Sequence, residues 1–314
     1  MAEASLSKSG EDAQYLRTEP LNYTAEIRQM MHGFGDSSEP LVESAKIIEE
    51  VVLQQMRTII RNACEVSERR NGSKNANCIN IEDLLFLLRK DKIKLQRLVK
   101  YLGLKEFKST IHKALEEELP DEIMDNDDSD NAKSKGPLHS FLSSIDNTGE
   151  LNNNSHIDEV KQQRCIRAEM ITRSMDEVRY LKYSKARSAS FANKNRHKFS
   201  DWIVPDGDIT ISKQGYTILG YLAYETVAQI VDLALLVRQD QNKIYGDSID
   251  RMRLSFVNPY TYKPYFHGKT AVTKPLTPSE ITEALRRYWS PQLDITGPFN
   301  RWSMRKPYLK LISC

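Results

Sequence analysis

The residues best able to do chemistry in this 314-residue chain are sparse and scattered. Gly268-Lys269-Thr270 has the ending of a phosphate-cradling loop, but Lys263 stands where the earlier glycine belongs, and no strand–loop–helix pattern surrounds it. There is no G-x-S-x-G and no H-E-x-x-H, and the six histidines are dispersed. The chain therefore offers no catalytic constellation. Cys64, Cys78, Cys165 and Cys314 are too far apart for C-x-x-C metal pairing. They read as free thiols of a reducing, intracellular compartment, without zinc or any other metal. No cofactor and no small-molecule substrate is expected.

Three patterns suit recognition of macromolecules instead. Glu225, Gln229 and Asp232 fall at steps of four and three, which makes a polar stripe on an otherwise apolar helix. It reads either as an ordinary solvated edge or as an acidic docking strip for a basic protein. Arg89, Lys90, Lys92, Lys94, Arg97 and Lys100 form a basic run suited to DNA, to an acidic partner, or to contact with the chain's own acidic block. Tyr260, Tyr262, Tyr265 and Phe266 suit either base stacking or packing on a neighbouring surface.

Charge limits these options. Lysine and arginine number 45 against 43 aspartates and glutamates, a net +2. A bulk wrapper of DNA needs a much larger positive excess, so any DNA contact is expected to be weak and local. No window reaches the roughly 18 consecutive apolar residues of a spanning helix, and no membrane partner is expected. Met1 to Glu19 is polar and lacks a leader's apolar core.

The elements that must carry these residues are helical. Residues 1–21 read as a flexible tail. A short helix from Thr24 to Met31 is stopped by Gly33-Phe34-Gly35-Asp36. From Leu41 to about Arg70 there is no proline or glycine. Leu41, Ala45, Ile48, Val52, Met56, Ile59, Ala63 and Val66 place one apolar stripe along some 30 residues, about 45 Å of helix. A helix this long cannot bury its stripe alone. Asn80 and Asp83 start a short helix to Arg89, and further helix is expected from Lys92 to Tyr101 and again to Leu115.

Composition then changes. Glu116, Glu117, Glu118, Asp121, Glu122, Asp125, Asp127, Asp128 and Asp130 repel one another and hold the chain open. Residues 114–190 read as an acidic and polar linker, with Asp158 to Arg187 as a solvated, charged helix inside it. Phe191 to Ile203 then opens a second amphipathic unit, and a long helix follows from Lys213 to Gln241. Leu219, Leu222, Val227 and Ile230 lie in its stripe as partners for Ile48, Val52 and Ile59. Thr277-Pro278-Ser279-Glu280 is a capping box with proline at the first helical position, starting a helix to Tyr288. Residues 290–314 show no clear element.

Each half thus reads as short helix, loop, long helix, loop, short helix. This is an all-α repeat with the layout of the histone fold, in which long helices cross and bury each other's stripes. A coiled coil is the alternative, but about four heptads flanked by short capped helices make a poor seam. A tether of about 75 residues reaches roughly 45–50 Å if flexible, so the halves can pair within one chain.

The residues also carry a resemblance. Tyr23-Thr24-Ala25-Glu26-Ile27-Arg28-Gln29-Met30-Met31 with Gly33-Phe34-Gly35-Asp36, and Glu82 to Asp91, resemble a histone-fold subunit of TFIID. Leu222 to Gln229, Leu235 to Gln239 and Ile281 to Tyr288 supply the second half, and Ser144 to Leu151 lies between. Together these blocks, over about residues 22–289, resemble the family of the third suppressor-of-Ty transcription initiation protein, the double histone-fold subunit of the SAGA coactivator. The resemblance implies two histone folds, residues 22–113 and 191–289, paired in one chain. It further implies a nuclear, non-enzymatic coactivator subunit that binds TATA-binding protein alongside other histone-fold subunits of SAGA. On this reading Glu225, Gln229 and Asp232 are the acidic strip offered to TATA-binding protein. The alternatives are a chromatin-type DNA-binding protein or a TFIID-like subunit.

Overall fold

A computed structural model of the chain describes residues 21–71, 78–116, 141–142, 144, 146, 158–173, 175–191, 196–205, 207–245, 274–290 and 311–313. The N-terminal 20 residues, Gly268-Lys269-Thr270, the run Tyr260 to Phe266, the acidic run beyond Glu116 and most of 290–314 lie outside the described residues. What is described is mostly helical. The helices are α1 (Thr24–Phe34), α2 (Val42–Asn71), α3 (Ile81–Leu88), α4 (Lys92–Glu116), α5 (Glu159–Thr172), α6 (Glu177–Arg187), α7 (Arg196–Ile203), α8 (Lys213–Tyr245) and α9 (Pro278–Trp289). Two short strands, β1 (Cys78–Ile79) and β2 (Thr210–Ile211), complete the order.

The two long helices, α2 and α8, are as the stripe spacing requires, and they pack against each other. Ile48, Val52, Ile59, Leu219, Val227 and Ile230 are fully buried and Leu222 nearly so, all in one continuous cluster drawn from both halves. Burying each such side chain contributes about 1.5–3 kcal/mol. By length and composition α8 is apolar enough to cross a bilayer, yet Ile218, Leu219, Ala223, Val227, Ile230 and Ala234 are all fully buried in this cluster.

Loops from opposite halves meet at both ends of this pair. At one end β1, which follows α2, runs parallel to β2, which precedes α8, with Cys78 opposite Thr210 and Ile79 opposite Ile211. At the other, the turn after α1 meets the residues before α9. The Leu276 N–H donates to Asp36 Oδ1 at 2.8 Å, and Ser44 Oγ donates to the Leu276 carbonyl at 2.7 Å. Burial pushes the Asp36 carboxyl up, opposed by the Ser37 and Leu276 N–H groups and by Arg238.

Three expectations change. The predicted break near Tyr101 is absent, because α4 runs straight through Gly103, where a Cβ would meet nothing within 4 Å. The helix inside the linker is two helices, α5 and α6, and it is not simply solvated: Ala168, Tyr183 and Ala186 are buried. The Gly33–Asp36 turn explains the docking. A Cβ on Gly33 would sit 3.1 Å from the Ala186 carbonyl oxygen, and Gly35, at φ 115°, would place one 2.7 Å from Arg167 Cδ. The turn that stops α1 is therefore also the seat for the linker helices. Finally, Leu311, Ile312 and Ser313 are buried. The Ile312 N–H donates to Gln55 Oε1 at 2.9 Å, Lys94 Nζ donates to the Ile312 carbonyl at 3.1 Å, and Tyr288 Oη donates to the Leu311 carbonyl at 3.0 Å. Three residues that show no pattern in sequence thus tie α2, α4 and α9 together.

Candidate protein-docking site

The polar stripe of α8 lies where α4, α5 and α1 converge. Asp158 caps the N-terminus of α5, accepting from the Lys161 N–H at 3.1 Å. The next turns of α5 place Arg164 and Arg167, three residues apart, on one face. Arg164 reaches Asp232 at 2.7 Å and Glu225 at 3.1 Å. Arg167 reaches Asp232 at 2.6 Å and also donates to the Phe34 carbonyl at 2.8 Å, which draws in the end of α1. From α4, Arg97 bridges Glu225 at 3.0 Å and Asp158 at 2.6 Å.

Three guanidinium groups and three carboxylates therefore form one neutral network at the junction of four helices. Side-chain exposure is 14% for Glu225 and Arg97, 16% for Arg164 and 17% for Asp232, so solvent screens these pairs only partly. Burial works to lower the Arg164 pKa, but Glu225 and Asp232 overcome it and hold that group above its ordinary value. Arg97 is held up in the same way by Asp158 and Glu225. Burial works to raise the Asp158 carboxyl, and the hydrogen bond from Arg97 outweighs it and holds the carboxyl low. Burial, with Glu225 alongside, pushes the Tyr224 phenol up to about 12 and Tyr221 well beyond the usual tyrosine range.

This geometry corrects the solvated reading of the stripe. Glu225 and Asp232 do not face open water, because α5 lies over them and supplies the cations. Gln229 is half-buried beside Leu88, Lys94 and Ser313. The basic run from Arg89 to Lys100 is likewise divided. Arg97 and Lys94 turn inward to the network and to the Ile312 carbonyl, while Arg89 lies over the Phe86 ring at 3.8 Å and Lys100 stays exposed. Sequence reading missed Arg97, Asp158, Arg164 and Arg167 as members of the site. The available signal was their complementarity: arginines one turn apart on a charged helix, facing acids two turns apart on an apolar one.

Between α4, α5, α6 and α8 the structure encloses a cavity of about 320 Å³, lined by Phe34, Tyr101, Tyr183, Tyr221 and Tyr224 among others. Among the described residues, no group of three or more histidine, cysteine, aspartate or glutamate side chains is placed to hold a metal ion. The ion-pair network can hold surfaces together, and it can exchange one set of partners for another.

Comparison with known proteins places these features. Residues 21–117 match the family described as transcription initiation factor IID, 18 kDa subunit. The chain is 29% identical over 281 residues to the SAGA complex subunit Spt3 of Drosophila melanogaster, covering 86% of this chain and 68% of that protein. It is also 29% identical over 290 residues to the Schizosaccharomyces pombe SAGA complex subunit Spt3, covering 86% and 90%. It is 36% identical over 95 residues to transcription initiation factor TFIID subunit 13 of Dictyostelium discoideum, covering 30% of this chain and 84% of that protein.

Proposed function

The chain belongs to the Spt3 family, and on that premise we propose that it is a non-enzymatic, nuclear subunit of a SAGA-type coactivator that binds TATA-binding protein and delivers it to promoters. Residues 22–113 and 191–289 are in this reading two histone folds closed on each other. Residues 1–21 and 290–314 are the tails, and residues 114–190 form the linker. The observation that carries the proposal is the length of the match, 86% of the chain, where the TFIID 18 kDa family matches only residues 21–117. The parallel β1–β2 contact supports intramolecular pairing, since it joins the loop after one long helix to the loop before the other. The shared core of α2 and α8 supports it as well.

In this reading Glu225, Gln229 and Asp232 meet TATA-binding protein by exchanging the arginines of α5 for cations of the partner. Opposite charges steer such an encounter and select the register. Other histone-fold subunits of SAGA are the expected neighbours, with DNA contact weak.

The test is affinity capture of the tagged chain from nuclear extract, followed by mass spectrometry, with a parallel binding assay of the purified chain against purified TATA-binding protein. SAGA subunits and TATA-binding protein are expected in the first, and saturable binding in the second. A folded chain that recovers no SAGA subunit overturns the assignment. One that enters the complex but never binds TATA-binding protein overturns the delivery role alone.

A further inference from the structure

The cavity between α4, α5, α6 and α8 has properties that the ion-pair network does not account for. Its volume of about 320 Å³ sits at the low end of ligand pockets, which run to about 300–1,000 Å³. That admits side chains of a peptide and excludes a folded domain. Its floor is aromatic: Phe34, Tyr101, Tyr221 and Tyr224. The Tyr221 hydroxyl is buried without a hydrogen-bond partner among the described residues. At the rim stand Ile93 and Leu104, 48% and 61% exposed, which is costly apolar surface to leave in water.

The charge around this opening is one-sided. Arg97, Arg164, Glu225 and Asp158 at its inner wall satisfy one another. Lys100, Lys161 and Arg187 also line it, all exposed, and among the described residues none of the three forms an ion pair with a carboxylate. The opening therefore presents an apolar slot, exposed aliphatic lips and three uncompensated cations.

We propose that this groove binds an acidic peptide segment of another protein, with a bulky apolar side chain entering the aromatic floor and flanking carboxylates meeting Lys100, Lys161 and Arg187. The ligand is opposite in charge to the basic protein proposed for the α8 stripe. Although Arg97, Arg164 and Glu225 border both sites, the peptide titration uses no TATA-binding protein, so the two readings are tested separately. Charge complementarity sets the on-rate and the register, and the buried apolar anchor sets the residence time.

The experiment titrates the full chain into a short fluorescein-labelled peptide, with aspartates and glutamates on both sides of a central phenylalanine, and follows anisotropy. Saturable binding is expected. It should weaken at least tenfold when the peptide's phenylalanine becomes alanine, and again in a Lys100→Glu/Lys161→Glu chain. Cys165→Trp, at the cavity wall, should block binding by filling the slot. These exposed changes should leave the melting temperature in place, and Lys185→Glu, outside the cavity, should bind as the unmodified chain does. Three outcomes overturn the proposal. The first is an absence of binding. The second is equal binding of the alanine peptide, or an equal loss with Lys185→Glu, either of which marks unspecific charge attraction. The third is binding that emerges only when residues 117–130 are deleted, which would make the chain's own acidic run the occupant. Loss of TATA-binding protein binding has no bearing on any of these readouts.

Discussion

Arg164 Nε lies 2.7 Å from Asp232 Oδ2, joining residues 68 apart in the chain and fastening the segment between the two halves onto the second long helix. Arg164 is 16% exposed in its side chain, and Glu225 shares it. An Arg164→Ala change leaves two carboxylates half-compensated in a poorly hydrated place. It should destabilise the protein by about 2–3 kcal/mol, as expected when a partly buried charged hydrogen bond loses one partner. Hydrogen exchange should rise first in α5 and α6, with α2 and α8 still protected. The double change Arg164→Ala/Asp232→Ala should cost less than the sum of the two single changes, as a double-mutant cycle on denaturant melts would report. An equal rise in exchange across α2 and α8 would show that the linker helices are part of the core.

Glu225→Lys belongs to the same network and gives a further expectation. On a solvated edge this reversal would leave stability almost untouched. Here it sets a third cation between Arg97 and Arg164, so the melting temperature should drop, and α5 should loosen together with it. Weakened capture of TATA-binding protein by this variant is therefore interpretable only beside a melting curve. Glu225→Gln, which removes the charge without reversing it, is the better probe of docking. It should keep most of the fold and lose only the electrostatic share of binding, visible as a flatter dependence on salt.

Much of the scaffold is legible in the sequence because it rests on period and punctuation. The stripes of α2 and α8 follow steps of three and four over some 30 residues, and Thr277-Pro278-Ser279-Glu280 satisfies its own helix start, with the Thr277 N–H donating to Glu280 Oε2 at 2.7 Å. The site was less legible. Its partners come from α4, α5 and α8, and periodicity within one helix does not say which other helix will cover its polar face. The insertion of Leu311, Ile312 and Ser313 was invisible for a related reason. Three residues have no period, and their anchoring depends on Gln55, Lys94 and Tyr288, which only the folded chain assembles.

Ile312 offers a direct test of that insertion. Its side chain is fully buried, and its backbone is held at both the N–H and the carbonyl. Ile312→Ala should cost about 2–5 kcal/mol, the range for truncating a buried aliphatic side chain. Ile312→Asp should cost more, since it buries an unpaired charge. Ile230→Ala, in the core shared by α2 and α8, should fall in the same range as Ile312→Ala, while Ile230→Asp or Ile59→Asp should abolish soluble expression. Thermal melts of the alanine variants decide the matter. An unchanged transition for Ile312→Ala would mean that residues 311–313 rest on the fold without supporting it.

The pairing of Arg238 with Glu280 sets the pH response. Arg238 reaches both carboxylate oxygens, at 2.7 and 2.6 Å, and also donates to the carbonyls of Lys274 and Pro275. Burial works to raise the Glu280 carboxyl, but Arg238 and the Thr277 N–H outweigh it and hold it below its ordinary 4.5. A carboxyl depressed in the folded state stabilises that state fully above its unfolded value and loses the contribution as pH falls through the folded one. Asp158, held below 3.8 by Arg97, adds to the loss at slightly lower pH. Asp36 runs the other way. Its pKa is raised from 3.8, so its contribution is present below that value and fades as pH climbs through the folded one. Glu283, which accepts hydrogen bonds from Arg286 and Arg287, is also held down, to about 2. With three depressed groups against one raised, the melting temperature should fall as pH drops below about 4.5, each proton of difference tilting stability by about 1.4 kcal/mol per pH unit. Glu280→Gln should melt lower than the unmodified chain at neutral pH, by about 1.5–3 kcal/mol for the lost charged hydrogen bonds. It should then lose less on acidification, so the two curves converge as pH falls through the folded-state value and the native carboxyl itself takes up a proton. Parallel curves from neutral pH down to that point would show that Glu280 does not carry the acid response, and would move its origin to the Arg97–Asp158 pair.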